Sequence, residues 1–78
     1  MEIDLNFVGI RMLDQQDIKS LLNDLRESDA PYVTVLGDYE DYECSYSGIV
    51  ENDQRVKGGI WVEHDRMLLV EALEELLV

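Results

Sequence analysis

The sequence predicts an α+β domain: a two-layer sandwich, mainly an antiparallel sheet with two helices on one face, in the order β-α-β-β-β-α. Three observations predict it. Short runs alternate apolar and polar residues, the mark of strands with one face left to solvent. Two longer runs carry apolar residues at helical spacing. With 78 residues there is room for one domain only, residues 1–78, whose core must be thin.

The first strand is expected over residues 2–10, where Ile3, Leu5 and Phe7 point one way and Glu2, Asp4 and Asn6 the other. Gly9 is expected to end it or to mark a bulge. Asp14 is a good N-cap, with Asp17 at the third helical position beside free backbone N–H groups. Leu13 and Ile18 flank that cap as a hydrophobic staple. Ile18, Leu21, Leu22 and Leu25 then form one apolar stripe. This helix spans about 15–28 and stops before Pro31.

YVTVLG, 32–37, is rich in β-branched and aromatic residues and predicts a strand, with a turn beginning at Gly37 and Asp38. A second alternation puts Tyr42, Cys44, Tyr46, Gly48 and Val50 on one face, and Glu43, Ser45, Ser47 and Ile49 on the other. ENDQ, 51–54, predicts a turn, and VKGGIWVE, 56–63, a further strand in which Gly58 and Gly59 mark a bulge or a close backbone approach. Asp65 caps a closing helix, RMLLVEALEELLV. Leu69, Ala72, Leu73 and Leu76 form its core face, and Leu68, Val70 and Leu77 overflow it.

Charge is the outlying property. Eighteen Asp and Glu face six Lys and Arg, giving a net charge of −12. A hydrophobic content of 46% is too high for a disordered acidic tail. Direct binding to nucleic acid is disfavoured, because neutralising phosphates takes Lys and Arg. Anionic membranes are disfavoured for the same reason, and a basic protein surface is the favoured partner. Cys44 is the single cysteine, which rules out an internal disulfide framework and suits a reducing compartment. With no signal peptide and no apolar run of about 20 residues, the expected location is the cytoplasm.

Catalytic and metal chemistry find little support. Glu63, His64 and Asp65 are adjacent at a strand end, so they do not converge on one proton. Cys44 lies far in sequence from His64, with no basic neighbour to lower its pKa. The carboxylates at 38–43 lack the EF-hand spacing. The sequence therefore predicts no enzyme, no metal site and no cofactor.

What stands out is DYEDYECSYSG, 38–48. Asp38, Glu40, Asp41 and Glu43 alternate with Tyr39, Tyr42 and Tyr46, and no Lys or Arg occurs between Arg26 and Arg55. A solvated hairpin tip is the plain explanation. The functional one is that carboxylates steer an encounter while stiff aromatic rings anchor it. Asp41 and Glu43, two apart on a strand, would present charges about 6.6 Å apart, close to the spacing of successive phosphates. A second acidic surface is Glu71, Glu74 and Glu75, which crowd the helix end that favours cations.

In its compact size, acidity, helix, three strands and closing acidic helix, the chain resembles small phage-type inhibitors, the anti-CRISPR and antirestriction DNA-mimic proteins. One Cas9-blocking type has a similar layout and occupies the basic site that reads the PAM. The resemblance covers layout and charge. It implies a protein of the host cytoplasm that binds and blocks a basic nucleic-acid-binding surface, with the 38–43 carboxylates as phosphate stand-ins and the three tyrosines as anchors. The alternative is an acidic interaction module, such as a toxin-immunity or assembly protein, that grips its partner through apolar surface. Either is compatible with a monomer or a homodimer. A third reading is a halophile's solvated domain, which the presence of only two lysines, Lys19 and Lys57, would suit.

Overall fold

The computed structural model describes residues 2–52 and 64–77. Seven elements follow in order: β1 (Glu2–Asp4), α1 (Phe7–Arg11), α2 (Gln15–Glu27), β2 (Tyr32–Glu40), β3 (Glu43–Asn52), β4 (His64–Asp65) and α3 (Arg66–Leu76). The fold is α+β with an open antiparallel sheet, as the alternating pattern requires. β2 is its centre. It pairs with β3 along its whole length, and along its other edge with β1 near Gly37 and with β4 near Val33. The expected strand at 56–63 and its glycines lie outside the described residues.

Val33 and Val35 project from one face of β2 and are fully buried. Against them pack Leu5, Ile10, Leu13, the α2 stripe Ile18, Leu21, Leu22 and Leu25, and Leu69 and Leu73 of α3. The α2 reading holds closely. Asp14 accepts a hydrogen bond from the Asp17 N–H at 2.7 Å, and both staple residues are buried. On α3, Asp65 accepts from the Leu68 N–H at 3.1 Å. Val70 and Leu77 pack against the core, whereas Leu68 is 65% exposed.

Four expectations are corrected. The strand at 2–10 stops at Asp4, because the Asn6 side chain accepts a hydrogen bond from the Gly9 N–H at 2.9 Å and starts the short helix α1. Gly9 therefore sits in a helix, and Phe7 leaves the core face while Ile10 enters it. β2 runs past Gly37 and Asp38 to Glu40, so the turn falls at Asp41 and Tyr42, and Tyr42 is not in a strand. β3 continues through Glu51 and Asn52, where a turn was expected. Within β3 the pairing jumps from Leu36↔Gly48 to Gly37↔Tyr46, leaving Ser47 unopposed. This bulge flips the alternation, so Ile49 packs on the core and Val50 faces out.

The helices are tied at both ends. Arg66, the first residue of α3, donates from Nε to the Ala30 carbonyl at 2.7 Å and from Nη1 to the Leu25 carbonyl at 3.1 Å. The Leu25 carbonyl also accepts the Ser28 N–H at 3.3 Å, and Ala30 follows the helix, so Arg66 ties the end of α2 and the loop beyond it to α3. Gln15 donates from Nε2 to the Leu76 carbonyl at 3.1 Å. Glu74, expected to lack compensation, pairs with Arg26 at 3.1 Å. Both side chains are about half exposed, so the pair contributes little.

Leu5 is the junction. Its N–H donates to the Val35 carbonyl at 2.8 Å, and its own carbonyl lies 3.3 Å from His64 Nε2. Its side chain lies over Gly37, where a Cβ would come within 2.6 Å of both Leu5 Cδ1 and the Ser45 carbonyl oxygen. Gly37→Ala is therefore expected to cost about 1–3 kcal/mol, lowering Tm by at least about 5 °C in a thermal melt. Val8→Ala, at a position 67% exposed, should change stability by less than about 0.5 kcal/mol.

Candidate functional site

The acidic stretch forms the tip of the β2–β3 hairpin. Asp41 and Tyr42 make a two-residue turn with φ of 51° and 65°. Positive φ at both positions is the type I′ turn, whose twist matches that of the paired strands. Its usual occupants are Asn and Gly. A tyrosine there carries a conformational cost of about 1–2 kcal/mol. The turn leaves Tyr42 86% exposed, the most exposed large hydrophobic residue among those described.

The register then sets the faces. Glu40 and Glu43 are directly opposed, Tyr39 faces Cys44, and Asp38 faces Ser45. Opposed Cα atoms in antiparallel strands lie about 4.5–5.5 Å apart. The expected same-face pair was Asp41 and Glu43, but Asp41 lies in the turn, and the pair actually brought together is Glu40 with Glu43. Like charges so placed repel, with only solvent to screen them. Among the described residues neither glutamate nor Asp41 has a cationic partner. Asp38 is half-buried and accepts a hydrogen bond from the Ser47 hydroxyl at 3.1 Å.

Tyr39 and Tyr46 share the opposite face, the one turned toward the helices. Tyr39 is 47% exposed. Tyr46 is half-buried, and its hydroxyl donates to Asp24 Oδ2 of α2 at 2.5 Å, while its backbone N–H donates to Asp17 Oδ2 at 3.3 Å. That N–H sits beside the bulge, which frees it for a side-chain acceptor. Burial, together with the hydrogen bond to Asp24 and its charge, pushes the Tyr46 phenol well above its ordinary value. Of the three tyrosines, Tyr46 thus anchors the hairpin to α2, while Tyr39 and Tyr42 remain exposed.

Two acids that the sequence did not assign to the site join it. Asp14 and Asp17, at the start of α2, line an open cleft of about 280 Å³ with Glu40, Asp41, Glu43, Cys44 and Ser45. Their capping role was visible in the sequence, but their neighbourhood depends on how the hairpin folds over α2. Despite this density of oxygen, no group of three or more His, Cys, Asp or Glu among the described residues is arranged to hold a metal ion. Glu71 and Glu75 are exposed on α3, which packs against α2 and β4. Cys44 and His64 do not meet: they pair with Tyr39 and Val33, six residues apart along β2, which is about 20 Å.

Comparison of the chain with protein families, with curated proteins and with solved structures finds no match. No helix among the described residues is long and apolar enough to cross a membrane.

Two measurements probe this construction. Because the folded state holds the Tyr46 proton more tightly than the unfolded chain, its contribution is complete below about pH 10 and shrinks as pH rises beyond that. In urea titrations the stability advantage of the native chain over Tyr46→Phe should therefore narrow between about pH 10 and pH 12. Separately, replacing Asp41 and Tyr42 by Asn and Gly should raise stability by about 1–2 kcal/mol, read as a higher denaturant midpoint at an unchanged m-value.

Proposed function

We propose that this protein is a non-enzymatic acidic inhibitor that acts in the cytoplasm by occupying the basic nucleic-acid-binding surface of another protein, in the manner of anti-CRISPR or DNA-mimic inhibitors. The observation that carries the reading is the hairpin tip. Glu40, Asp41 and Glu43 stand exposed, and the Glu40–Glu43 pair is opposed without a cation between Arg26 and Arg55 to offset it.

Such a tip suits arginine. Two carboxylates opposed across a hairpin can each accept paired N–H donors from a guanidinium in a desolvated interface. The exposed ring of Tyr42 supplies a face on which a guanidinium stacks, and Tyr39 adds contact area at low entropic cost. Hydrogen bonding of Tyr46 to α2 gives the hairpin a fixed base, so little ordering entropy is lost on docking. Asp38 supports the charge from a half-buried position. The net charge of −12 speeds encounter with a cationic groove, an effect that weakens as salt rises. Glu71, Glu74 and Glu75 form the secondary acidic surface in this reading, with Glu74 partly committed to Arg26.

The test is capture from host lysate by the intact chain and by the combined variant Asp38→Asn, Glu40→Gln, Asp41→Asn, Glu43→Gln, with retained proteins identified by mass spectrometry. The intact chain should retain a nucleic-acid-binding protein that duplex DNA or RNA displaces and that about 0.5 M salt releases. The variant should lose it while keeping its circular dichroism spectrum. Equal retention by both chains, or retention indifferent to salt and to nucleic acid, would overturn the reading.

A further inference from the structure

Asp41 and Tyr42 are the two non-glycine residues with positive φ among those described. A bulky side chain in that region is an outlier, and such strain persists where the side chain has a use. Nothing inside the fold offsets it for Tyr42. Its ring is almost wholly exposed, and its hydroxyl has no hydrogen-bond partner among the described residues. The other tyrosines differ. Tyr46 is committed to Asp24, Tyr32 is half-buried and has an interaction of its own, and Tyr39 lies within a paired strand opposite Cys44. Tyr42 alone stands clear of the sheet with a free hydroxyl.

The tip is also the part of the hairpin that opens most readily. β1 pairs with β2 only as far as Asp38, so the last residues of β2 have β3 as their one strand partner among the described residues. Glu40 and Glu43 form the final pair, and like charges directly opposed repel. Parting that pair releases the repulsion and the strain of the turn together. The bonds from Tyr46 to Asp24 and Asp17 meanwhile keep the base of the hairpin on α2. A local opening of this kind presents a short acidic segment centred on Tyr42 without unfolding the domain.

We propose that Tyr42 is a modification site, the acceptor of a phosphoryl group from a nucleoside triphosphate in the active site of a protein tyrosine kinase with a cationic substrate groove. The phenolic oxygen attacks the γ-phosphorus, and the bond from that phosphorus to the β–γ bridging oxygen breaks. The nucleoside diphosphate leaves, and the phenolic proton passes to the kinase's catalytic carboxylate. Glu40, Asp41 and Glu43 flank the acceptor and steer it toward a cationic groove, and no Lys or Arg between Arg26 and Arg55 opposes them. The product carries about −1.5 to −2 of added charge at pH 7. Where the tip docks in a basic groove, as proposed for its function, the modification sets a true phosphate among carboxylates that stand in for phosphates and tightens docking. That consequence rests on the proposed function, whereas the site itself does not.

The test incubates the full chain with magnesium, ATP and a purified tyrosine kinase domain that accepts acidic peptides, and reads the product by intact mass and peptide mapping. The native chain should gain one phosphoryl group, on Tyr42. Tyr42→Phe should gain none, and Tyr39→Phe should be modified within about twofold of the native rate. Glu40→Gln, Asp41→Asn and Glu43→Gln together should lower kcat/KM at least about tenfold, mainly through KM, with an unchanged circular dichroism spectrum. No transfer to the native chain, transfer to Tyr39 or Tyr46 in place of Tyr42, or a triple variant modified as fast as the native chain would each overturn the proposal. No binding partner enters the assay, so its failure is distinct from a failure of the lysate capture that tests the proposed function.

Discussion

Leu5 can lie where it does only because Gly37 has no side chain. At the same residue the backbone bonds β2 through its N–H and meets His64 through its carbonyl, and the chain then turns into α1. A small domain has few buried side chains to spare, so a residue that joins four elements carries a disproportionate share of the fold's definition. The glycine sits next to the bulge, where the pairing of β3 shifts by one residue. Close packing on one side of β2 and the altered register on the other side thus occur at the same point along the strand. Everything beyond that point, including the hairpin tip, takes its orientation from it.

Among the described residues, two groups of acids play opposite parts. Asp14, Asp65 and Asp17 accept backbone N–H bonds, and Asp24 accepts from Tyr46. These carboxylates hold helix ends and fix the hairpin on α2, where hydrogen bonds to a charged acceptor count for more than neutral ones. Glu40, Asp41, Glu43, Glu71 and Glu75 do none of this and face solvent. The first group makes the second geometrically definite. An acidic surface held by its own internal carboxylates stays in place without lysines, which explains how a base-free stretch can remain ordered despite self-repulsion.

Local chemistry was legible in the sequence where it acts within a few residues. The Asp14 and Asp65 caps, the staple of Leu13 and Ile18, and the apolar stripe of α2 were all readable, because each depends only on helical periodicity and on unpaired backbone groups. The strand at 32–37 was also readable, but its continuation to Glu40 was not, since Gly37 and Asp38 carry the composition of a turn. What they lack as strand formers is supplied from outside, by pairing with β1 and β3. The alternation of Ile3, Leu5 and Phe7 misled for a comparable reason: Asn6 makes its cap only once Gly9 has turned back onto it. At the candidate site, composition pointed to the hairpin, but the register separated roles that composition treats alike. Tyr46 went to the helix face and Glu40 came opposite Glu43. A one-residue bulge decides such matters, and no alternation of side chains announces it.

The bonds from Arg66 to the Leu25 and Ala30 carbonyls have a temporal consequence. A ribosome adds about 5–20 residues per second, so α2 and β2 exist for a few seconds before residue 66 is made. During that interval the end of α2 lacks its guanidinium, and the shared core lacks Leu69 and Leu73. The nascent polypeptide must carry an oily, half-built face until α3 arrives. Chaperones that recognise such faces have their opportunity before α3 is in place, and the packing of α3 then withdraws the face from them.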